Sequence, residues 1–276
     1  MNSGPALVEP DVSDREMLLF QQLFKQHIGL HLPVSKKALL QSRLGSRMHE
    51  LGLRQLSQYH ALIAADDGGT ERQRAIDLIT TNETYFFREQ SHFDFLGNEL
   101  LPAWSSVKTL RVWSAASSTG EEAYTLSMLL DHYRPDGSWS VFASDISTRV
   151  LSFARRALYP MARGQNIPRQ YLKRYCLRGT AEYEGHFLVE GTLRRKVEFA
   201  QRNLTDLGAF DDGSFDLIFL RNVIIYFDFP TKVQVVSDVL SRLRPGGYLV
   251  VGHSESLHGM NLALEMHSPS IYRKPE

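Results

Sequence analysis

Short apolar runs alternate with amphipathic segments from about residue 101 onward. Runs typical of buried strands are Thr109–Ser114, Val141–Ser144, Lys196–Gln201, Phe215–Leu220 and Tyr248–Gly252. Segments typical of helices lie between them at Glu121–His132, Thr148–Leu158 and Thr231–Leu243. Strand–helix–strand connections place neighbouring strands parallel, so this alternation predicts an α/β fold with a doubly wound, mostly parallel sheet. Ligands of such sheets bind at the carboxyl ends of the strands.

Three other stretches complete this α/β region. Residues 159–195 contain turn residues, charges and short alternating pieces such as His186–Glu190, which predict a small antiparallel β insertion. The alternative is a surface excursion that has no function of its own. Arg244–Gly247 predicts a turn ahead of the strand Tyr248–Gly252, and Leu262–Arg273 predicts a final pair of strands.

The preceding part of the chain has the pattern of helices instead. Ser13 and Glu16 form a capping-box pattern, and Met17, Phe20, Phe24 and Ile28 then recur at helical spacing. Further helices are predicted at about Ser35–Leu51, Gln55–Ala65 and Glu71–Thr80. The expected organisation is a helical domain over residues 12–80, a linker with a connecting helix over 81–100, and the α/β domain over 101–276.

Composition excludes several classes of protein. No apolar run reaches the roughly 18–20 residues that a membrane-spanning helix needs. Met1–Asp11 has neither the basic patch nor the apolar core of a signal peptide, and we expect it to be a disordered tail. The single cysteine, Cys176, cannot form an intrachain disulfide. We therefore expect a cytoplasmic protein without membrane insertion. The net charge of zero argues against nucleic-acid binding.

The loop after the first predicted strand indicates the kind of cofactor. Residues 114–122 read Ser-Ala-Ala-Ser-Ser-Thr-Gly-Glu-Glu, with one glycine where dinucleotide-binding loops have three. The adjacent carboxylates of Glu121 and Glu122 would repel a pyrophosphate but suit a cationic ligand. Asp145 stands at the end of the second predicted strand, where an acidic residue accepts ribose hydroxyls. This arrangement favours S-adenosylmethionine (SAM) over NAD.

Four stretches resemble the CheR-type chemoreceptor glutamate methyltransferases. They are Thr81–Glu89 (TNETYFFRE), Ser118–Glu122 (STGEE), Leu220–Phe227 (LRNVIIYF) and Gly252–Leu257 (GHSESL). The resemblance covers about Asp14 to Lys274, and the first stretch is the most specific. It implies a small all-α domain followed by a SAM-methyltransferase (Rossmann-like) domain with a β insertion. It also implies methyl transfer from SAM to receptor glutamates, with S-adenosylhomocysteine as the second product.

The resemblance carries over to individual residues. The implied cofactor contacts are Asn82, Thr84, Arg88, Glu122, Asp145, Asn203, Leu204, Arg221 and Asn222. The family usually has Gly-Cys where this chain has Ala116-Ser117, and a β-carbon at Ala116 is expected to weaken cofactor binding at most. A glutamate carboxylate is ionised at neutral pH, so the reaction needs orientation rather than a general base. We assign that catalytic role to Arg88 and the Tyr226 hydroxyl.

The charge pattern and the insertion suggest contacts with the receptor. Between Gln22 and Leu56, one acidic residue (Glu50) stands against six basic ones: Lys25, Lys36, Lys37, Arg43, Arg47 and Arg54. These basic helices are expected to dock the acidic methylation helices of the receptor's cytoplasmic domain; a solvated helix face is the alternative. Some members of the resembled family bind a C-terminal receptor pentapeptide on the β insertion, which implies the same use here; the alternative is that the insertion only shields the cofactor cleft.

Other functions are less well supported. Gly252–Ser256 resembles the nucleophile turn of hydrolases but lacks its final glycine. His27 and His31 are one helical turn apart without a third ligand nearby, so no metal site is expected. Two alternatives stay open: a SAM methyltransferase with another substrate, and a receptor-binding module of weak catalytic activity.

Overall fold

The structure, a computed structural model, describes residues 12–208 and 215–276. The expectation of a disordered tail over Met1–Asp11 concerns residues outside those ranges. The chain divides into two compact units, Met1–Thr81 and Asn82–Glu276, which we call the helical unit and the sheet unit. In the described part of the chain, no helix is both long and apolar enough to cross a membrane.

The helical unit contains the four helices that the sequence predicts. They are α1 (Asp14–Ile28), α2 (Lys37–Glu50), α3 (Leu56–Ala64) and α4 (Thr70–Ile79), with a 3₁₀ turn at Val34–Lys36. The capping box is confirmed, because the Ser13 side chain accepts the Glu16 N–H and the Glu16 carboxylate accepts the Ser13 N–H. Gly29 ends α1 in the left-handed conformation, with φ 69°. The predicted apolar face of α1 is buried.

An ion pair also ties α2 to α4. The Arg47 guanidinium donates to both oxygens of the Glu71 carboxylate, at 2.9 and 2.7 Å. The Tyr59 hydroxyl of α3 donates to the same carboxylate at 2.8 Å. Bidentate pairing of this kind is the strong form of a salt bridge. Arg47 is therefore part of the internal structure of the helical unit.

The sheet unit is built on a large mixed sheet with helices on both faces. The strands of the sheet unit, including those of the β insertion, are β1 (Leu110–Ser114), β2 (Trp139–Asp145), β3 (Leu158–Pro160), β4 (Cys176–Arg178), β5 (His186–Val189), β6 (Val197–Gln201), β7 (Phe215–Leu220), β8 (Leu243–Val251), β9 (Glu265–Ser268) and β10 (Ile271–Arg273). Its helices are α5 (Gln90–Phe95), α6 (Leu101–Ala103), α7 (Glu121–Tyr133), α8 (Thr148–Arg156), α9 (Arg169–Tyr175), α10 (Gly191–Arg194) and α11 (Phe229–Ser241). A π-helical turn, Leu96–Leu100, joins α5 to α6.

The large sheet has the order β6-β2-β1-β7-β8-β10-β9. Its first five strands pair in parallel, and β10 pairs antiparallel with β8 and β9. Along β7, Leu217 and Phe219 belong to one core cluster, whereas Ile218 and Leu220 belong to another. The first cluster includes apolar residues of α7, and the second includes those of α11. The sheet is thus covered on both faces, as the strand–helix alternation predicts.

The predicted turn at Arg244–Gly247 is wrong. These residues lie within β8, whose pairing with β7 shifts register: Phe215 pairs with Leu243, but Leu217 pairs with Tyr248. The extra residues are accommodated by a bulge, in which Gly246 adopts φ 72°. Turn-forming residues and bulge-forming residues are the same types, so local sequence does not separate the two structures.

The β insertion is a three-stranded antiparallel sheet of order β3-β5-β4. It begins at Leu158, close to the predicted residue 159. Gly179 follows β4, and a β-carbon there would lie 2.1 Å from the carbonyl oxygen of Tyr183, so the turn requires glycine. The prediction of a small antiparallel insertion is confirmed.

Candidate cofactor and methyl-transfer site

The carboxyl ends of five parallel strands meet at one edge of the large sheet. Chain order reverses between β1 and β7, which makes this pair the switch point where doubly wound sheets bind ligands. Predicted cofactor contacts follow four of these strands: Glu122 after β1, Asp145 at the end of β2, Asn203 and Leu204 after β6, and Arg221 and Asn222 after β7. The topology therefore places these six residues along the same edge.

The loop between β1 and α7 is held in a tight conformation. Gly120 has φ 95°, and a β-carbon there would lie 2.9 Å from both the Ala154 β-carbon and the Tyr159 hydroxyl. Only glycine meets both requirements. The hydroxyl of Ser117 is buried and has no hydrogen-bond partner among the described residues. The loop is thus closely packed and still offers one buried polar group.

Asp145 closes the loop from the neighbouring strand. Its carboxylate accepts the N–H of Ser118 and the N–H of Ser147, each at 2.9 Å. Ser118 adopts φ 47°, a conformation that this bond helps to hold. Asp145 is therefore a positioning residue for the first loop, in addition to the ribose contact that its place predicts.

The two adjacent carboxylates of the loop do not act as a pair. Glu121 is fully buried, and its carboxylate accepts hydrogen bonds from Arg163 of the β insertion and from the Thr119 hydroxyl. Burial raises the pKa of Glu121. Successive helical residues face different directions, which separates Glu121 from Glu122. Glu121 thus joins the loop to the insertion, and the expected cationic site is left to Glu122.

Glu122 is held from two sides. Its carboxylate accepts the Ser114 hydroxyl at 2.6 Å and the Arg221 guanidinium at 2.9 Å. Burial raises the pKa of Glu122, and the charge of Arg221 opposes that effect. The carboxylate therefore has a fixed direction at the carboxyl end of β1.

Arg221 joins this carboxylate to the Thr81–Glu89 segment. Its guanidinium lies 3.0 Å from the Glu89 carboxylate and donates to the Arg88 carbonyl at 2.5 Å. The side chain is 2% exposed and packs over the rings of Phe93 and Phe219. A guanidinium so enclosed holds the carboxylates of Glu122 and Glu89 in place. The structure thus gives Arg221 a positioning geometry, where the sequence predicts a direct contact.

Glu89 receives several further hydrogen bonds. The Asn222 amide donates to it at 3.2 Å, and the His253 N–H donates at 3.0 Å. Burial acts to raise the pKa of Glu89, but the charge of Arg221 and the hydrogen bonds from Arg221, Asn222 and His253 together outweigh it, so the pKa is lowered. The nearby His92 is buried, and burial followed by the charge of Arg221 lowers its pKa to about 3. Sequence reasoning did not assign a role to Glu89, because its partners follow strands more than a hundred residues away.

The Thr81–Glu89 segment presents Arg88 from a strained backbone. Phe87 and Glu89 on either side both have φ 58°, unusual for residues other than glycine. Arg88 is half-buried; its guanidinium donates to the Glu83 carbonyl at 2.7 Å and lies over the Tyr85 ring. Buried Phe86 and Phe87 anchor the segment in the core.

Asn82 and Thr84 begin the same segment. The Asn82 carbonyl accepts the Ser118 hydroxyl at 2.9 Å, so this end of the segment contacts the first loop. Thr84 is half-buried. Across the sheet edge, the Asn203 side chain accepts the N–H and the hydroxyl of Thr205, which shapes the turn after β6 around buried Leu204.

Tyr226 ends a 3₁₀ turn, Ile224–Tyr226, that Glu255 holds in place. The buried Glu255 carboxylate accepts the N–H groups of Asn222 and Gly252 at 2.7 Å and that of Ile225 at 3.3 Å. Tyr226 itself is half-buried, and its hydroxyl has no protein partner within residues 12–208 and 215–276. A fixed backbone with an available hydroxyl is what an orienting group needs.

These residues fit SAM. Positions 114–122 contain no lysine or arginine, and Glu122 supplies a fixed negative charge. The buried Ser117 hydroxyl has no partner in the described part of the chain. Such a site suits a cationic nucleoside better than a pyrophosphate. A doubly wound sheet that ends in an antiparallel pair and carries this loop defines the class of SAM-dependent methyltransferases.

Comparison with known proteins identifies the family. Residues 82–272 match "CheR methyltransferase, SAM binding domain", and residues 15–80 match "CheR methyltransferase, all-alpha domain". The chain belongs to the CheR methyltransferase family, and its cofactor is SAM.

Three curated relatives show the extent of the similarity. The chain is 37% identical to the chemotaxis protein methyltransferase of Escherichia coli, over 95% of this chain and 91% of that protein. It is 36% identical to that of Borreliella burgdorferi, over 96% and 95%. It is 39% identical to chemotaxis protein methyltransferase 2 of Pseudomonas aeruginosa, over 85% and 84%.

Proposed function

We propose that this protein transfers a methyl group from SAM to glutamate side-chain carboxylates of bacterial chemoreceptors, forming glutamate methyl esters. The observation that carries the proposal is the match of the chain to the CheR methyltransferase domains, together with a Glu122 carboxylate that Ser114 and Arg221 hold in a fixed direction. The relatives are chemotaxis protein methyltransferases, which supports the role in chemotaxis. The proposed location is the cytoplasm, where the methylated part of such receptors lies.

The cofactor is held by residues along the sheet edge. Glu122 attracts its positive charge, and Asp145 lies where the ribose hydroxyls are expected. The remaining proposed contacts are Asn82, Thr84, Arg88, Asn203, Leu204, Arg221 and Asn222. Because Arg221 is enclosed by protein, we propose that it acts by fixing Glu122.

The chemistry needs a bound, oriented carboxylate. SAM supplies a methyl group on a positively charged sulfur, which leaves as neutral S-adenosylhomocysteine when the carboxylate oxygen takes the methyl. The glutamate is already ionised at neutral pH, so no proton has to be removed. Arg88 binds the carboxylate through donors that its contact with Glu83 leaves available. The Tyr226 hydroxyl donates to the same group and fixes the angle of approach.

The decisive experiment uses radiolabelled SAM and receptor-containing membranes. We expect base-labile methyl groups on the receptor, since esters hydrolyse in base and N-methyl groups do not. Receptor whose methylation-region glutamates are changed to alanine is the matched substrate control, and Arg88→Ala is the enzyme control. Base-stable label, or label that persists on the altered receptor, would overturn the proposal.

The proposed docking surface is the basic face of the helical unit. The structure restricts the residues suited to testing it, because Lys37 pairs with Asp14 at 2.7 Å and Arg47 pairs with Glu71. Lys36 is exposed and Arg43 half-exposed, and neither has such a pair within residues 12–208 and 215–276. We expect Lys36→Glu with Arg43→Glu to raise the KM for receptor and leave SAM affinity unchanged. Added salt should likewise raise the KM of the parent enzyme for receptor. A KM that does not depend on salt would contradict docking by charge.

The β insertion is the proposed site for a receptor C-terminal pentapeptide. Strand β4 is an edge of the three-stranded sheet, and its Leu177 is 51% exposed. Exposed Arg194 and Arg195 are available for a terminal carboxylate. An extended peptide can add to such an edge, which would raise the enzyme concentration near receptor clusters. Calorimetric titration with the pentapeptide, and with its C-terminal amide as control, tests this; no binding at millimolar peptide would exclude it.

A further inference from the structure

Two histidines and a glutamate converge beside the proposed site. Glu89 precedes α5, His92 lies on α5, and His253 follows β8. Their ligand atoms all lie within 4.8 Å of one another. Within this cluster, the Glu89 carboxylate and Nδ1 of His92 lie 3.5 Å apart. Because His253 is 161 residues beyond His92, no spacing motif reveals this cluster.

His92 directs one ring nitrogen, Nε2, toward Ser270 and the other, Nδ1, toward Glu89. Its Nε2 lies 2.6 Å from the Ser270 hydroxyl oxygen. The Ser270 hydroxyl oxygen also lies 2.5 Å from the Pro269 carbonyl oxygen, and when the hydroxyl donates to that carbonyl, Nε2 of His92 carries the ring proton. Nδ1 of the neutral ring is then an unprotonated lone pair. His92 is 1% exposed, and Nδ1 has no hydrogen-bond partner among the described residues.

In that tautomer, a lone pair of His92 and a carboxylate oxygen of Glu89 face each other at 3.5 Å without a proton between them. That arrangement is unfavourable unless a cation or a water lies there. His253 supplies a third donor from the solvent side: its ring is exposed, its centroid is 4.6 Å from that of His92, and its Nε2 lies 3.0 Å from the Ser91 hydroxyl. The cluster thus combines a buried, unpartnered nitrogen with an accessible one.

We propose that Glu89, His92 and His253 bind one transition-metal dication of the Zn²⁺ class. Two imidazole nitrogens and one carboxylate oxygen form a donor set that Zn²⁺ favours, with a fourth position left for water. Metal–ligand bonds of about 2.0–2.2 Å separate tetrahedral ligands by about 3.3 Å. The 3.5 Å between Glu89 and His92 is close to that value, and exposed His253 is the ligand that closes on the ion.

The neighbouring Arg221 is the main electrostatic cost. It lies 3.0 Å from Glu89, but it also pairs with Glu122, so two carboxylates share one guanidinium. A metal ion would compete with Arg221 for the Glu89 carboxylate. Because Arg221 fixes Glu122, occupancy should weaken SAM binding. This consequence rests on the proposed role of Glu122, whereas metal binding itself does not.

The test measures Zn²⁺ binding directly. Chelator-treated protein without an affinity tag and without SAM is titrated with Zn²⁺ by competition with a chromogenic indicator. We expect one ion per chain and an affinity at least about tenfold weaker in His253→Ala, since loss of even an outer-shell partner costs that much. His253→Cys retains a ligand and should retain binding, and exposed His258→Ala is the matched control.

A second readout reports coordination geometry. Co²⁺ in the same site should give the intense visible bands of tetrahedral coordination, and His253→Ala should lose them. His253 is exposed, so its variants should keep the parent tryptophan fluorescence. Absence of stoichiometric binding, or equal affinity in the parent and His253→Ala, would overturn the proposal. A failure of metal binding would leave the methyl-ester assay unaffected.

Discussion

Replacement of Arg221 by methionine should destabilise the sheet unit and weaken SAM binding together. Methionine approximates the length of the arginine stem and keeps contact with the rings of Phe93 and Phe219, but it removes the positive charge. Two carboxylates, Glu89 and Glu122, then lose their common partner. Breaking a buried ion pair in this way costs about 3–5 kcal/mol. Folded domains are stable by only about 5–15 kcal/mol, so the effect is readily measured.

The assay can report on the sheet unit alone. All three tryptophans, at positions 104, 113 and 139, lie in it, and Trp113 is fully buried. Urea unfolding followed by tryptophan fluorescence therefore measures the free energy of unfolding of this unit. Calorimetry with SAM is the second measurement, and we expect at least about tenfold weaker binding, equivalent to about 1.4 kcal/mol, once Glu122 loses its orientation.

A double-mutant cycle separates charge from packing. Glu122→Gln in the Arg221→Met background removes one uncompensated carboxylate, and we expect recovery of about 1–2 kcal/mol of stability. Arg221→Lys is the matched control, because it keeps the charge but cannot bridge two carboxylates. Its free energy of unfolding should therefore lie between those of the parent and Arg221→Met. A loss below 1 kcal/mol in Arg221→Met, or no recovery in the double variant, would refute the argument from buried charge.

Asp145→Asn keeps the side-chain shape but removes its charge, so calorimetry should show SAM affinity about tenfold lower; equal affinity would reject a role for the charge. Tyr226→Phe should slow single-turnover methyl transfer about tenfold or more, the effect of one hydrogen bond to a charged group, and an unchanged rate would exclude the hydroxyl. Gly120→Ala should destabilise the sheet unit by at least about 1–2 kcal/mol in urea, and parent-like unfolding would show that the loop relaxes. The hydrogen bond from Arg47 lowers the pKa of Glu71 below 4.5, so the ionised Glu71 stabilises the helical unit above that pH and this stabilisation is lost below it. Amide hydrogen exchange of the helical unit should show this loss of stability on acidification, and the loss should be smaller in Glu71→Gln.

The elements of this fold were predictable where local pattern and tertiary structure agree. Buried strand Phe215–Leu220 and helix α1, with its capping box, have the predicted residues because propensity, periodicity and capping all favour the same structure. The segment Arg244–Gly247 was not predictable, because its glycines serve a bulge whose pairing partner, β7, decides the outcome. Long-range pairing is information that a local pattern does not contain.

The candidate site shows the same division. The sequence predicted acidic residues at the ends of the first two strands, and the structure places Glu122 and Asp145 at the same edge of the sheet. The sequence did not predict that Glu121 faces away from Glu122 and pairs with Arg163, because that contact depends on the β insertion. The roles of Glu89 and Glu255 were also inaccessible, since each carboxylate binds groups that follow distant strands.

The contacts of the Thr81–Glu89 segment explain why its sequence is the most specific of the four stretches that resemble the family. Phe86 and Phe87 anchor it in the core, Glu89 pairs with Arg221, and the Arg88 carbonyl accepts the same guanidinium. Positive φ angles at Phe87 and Glu89 are tolerated only because both sides are fixed. Substituting an anchor would therefore release the strain and move Arg88 without removing any group that the reaction uses. Such a variant should lose methyl transfer in proportion to the disorder of Arg88, whereas loss of the Arg88 guanidinium itself should leave the segment in place.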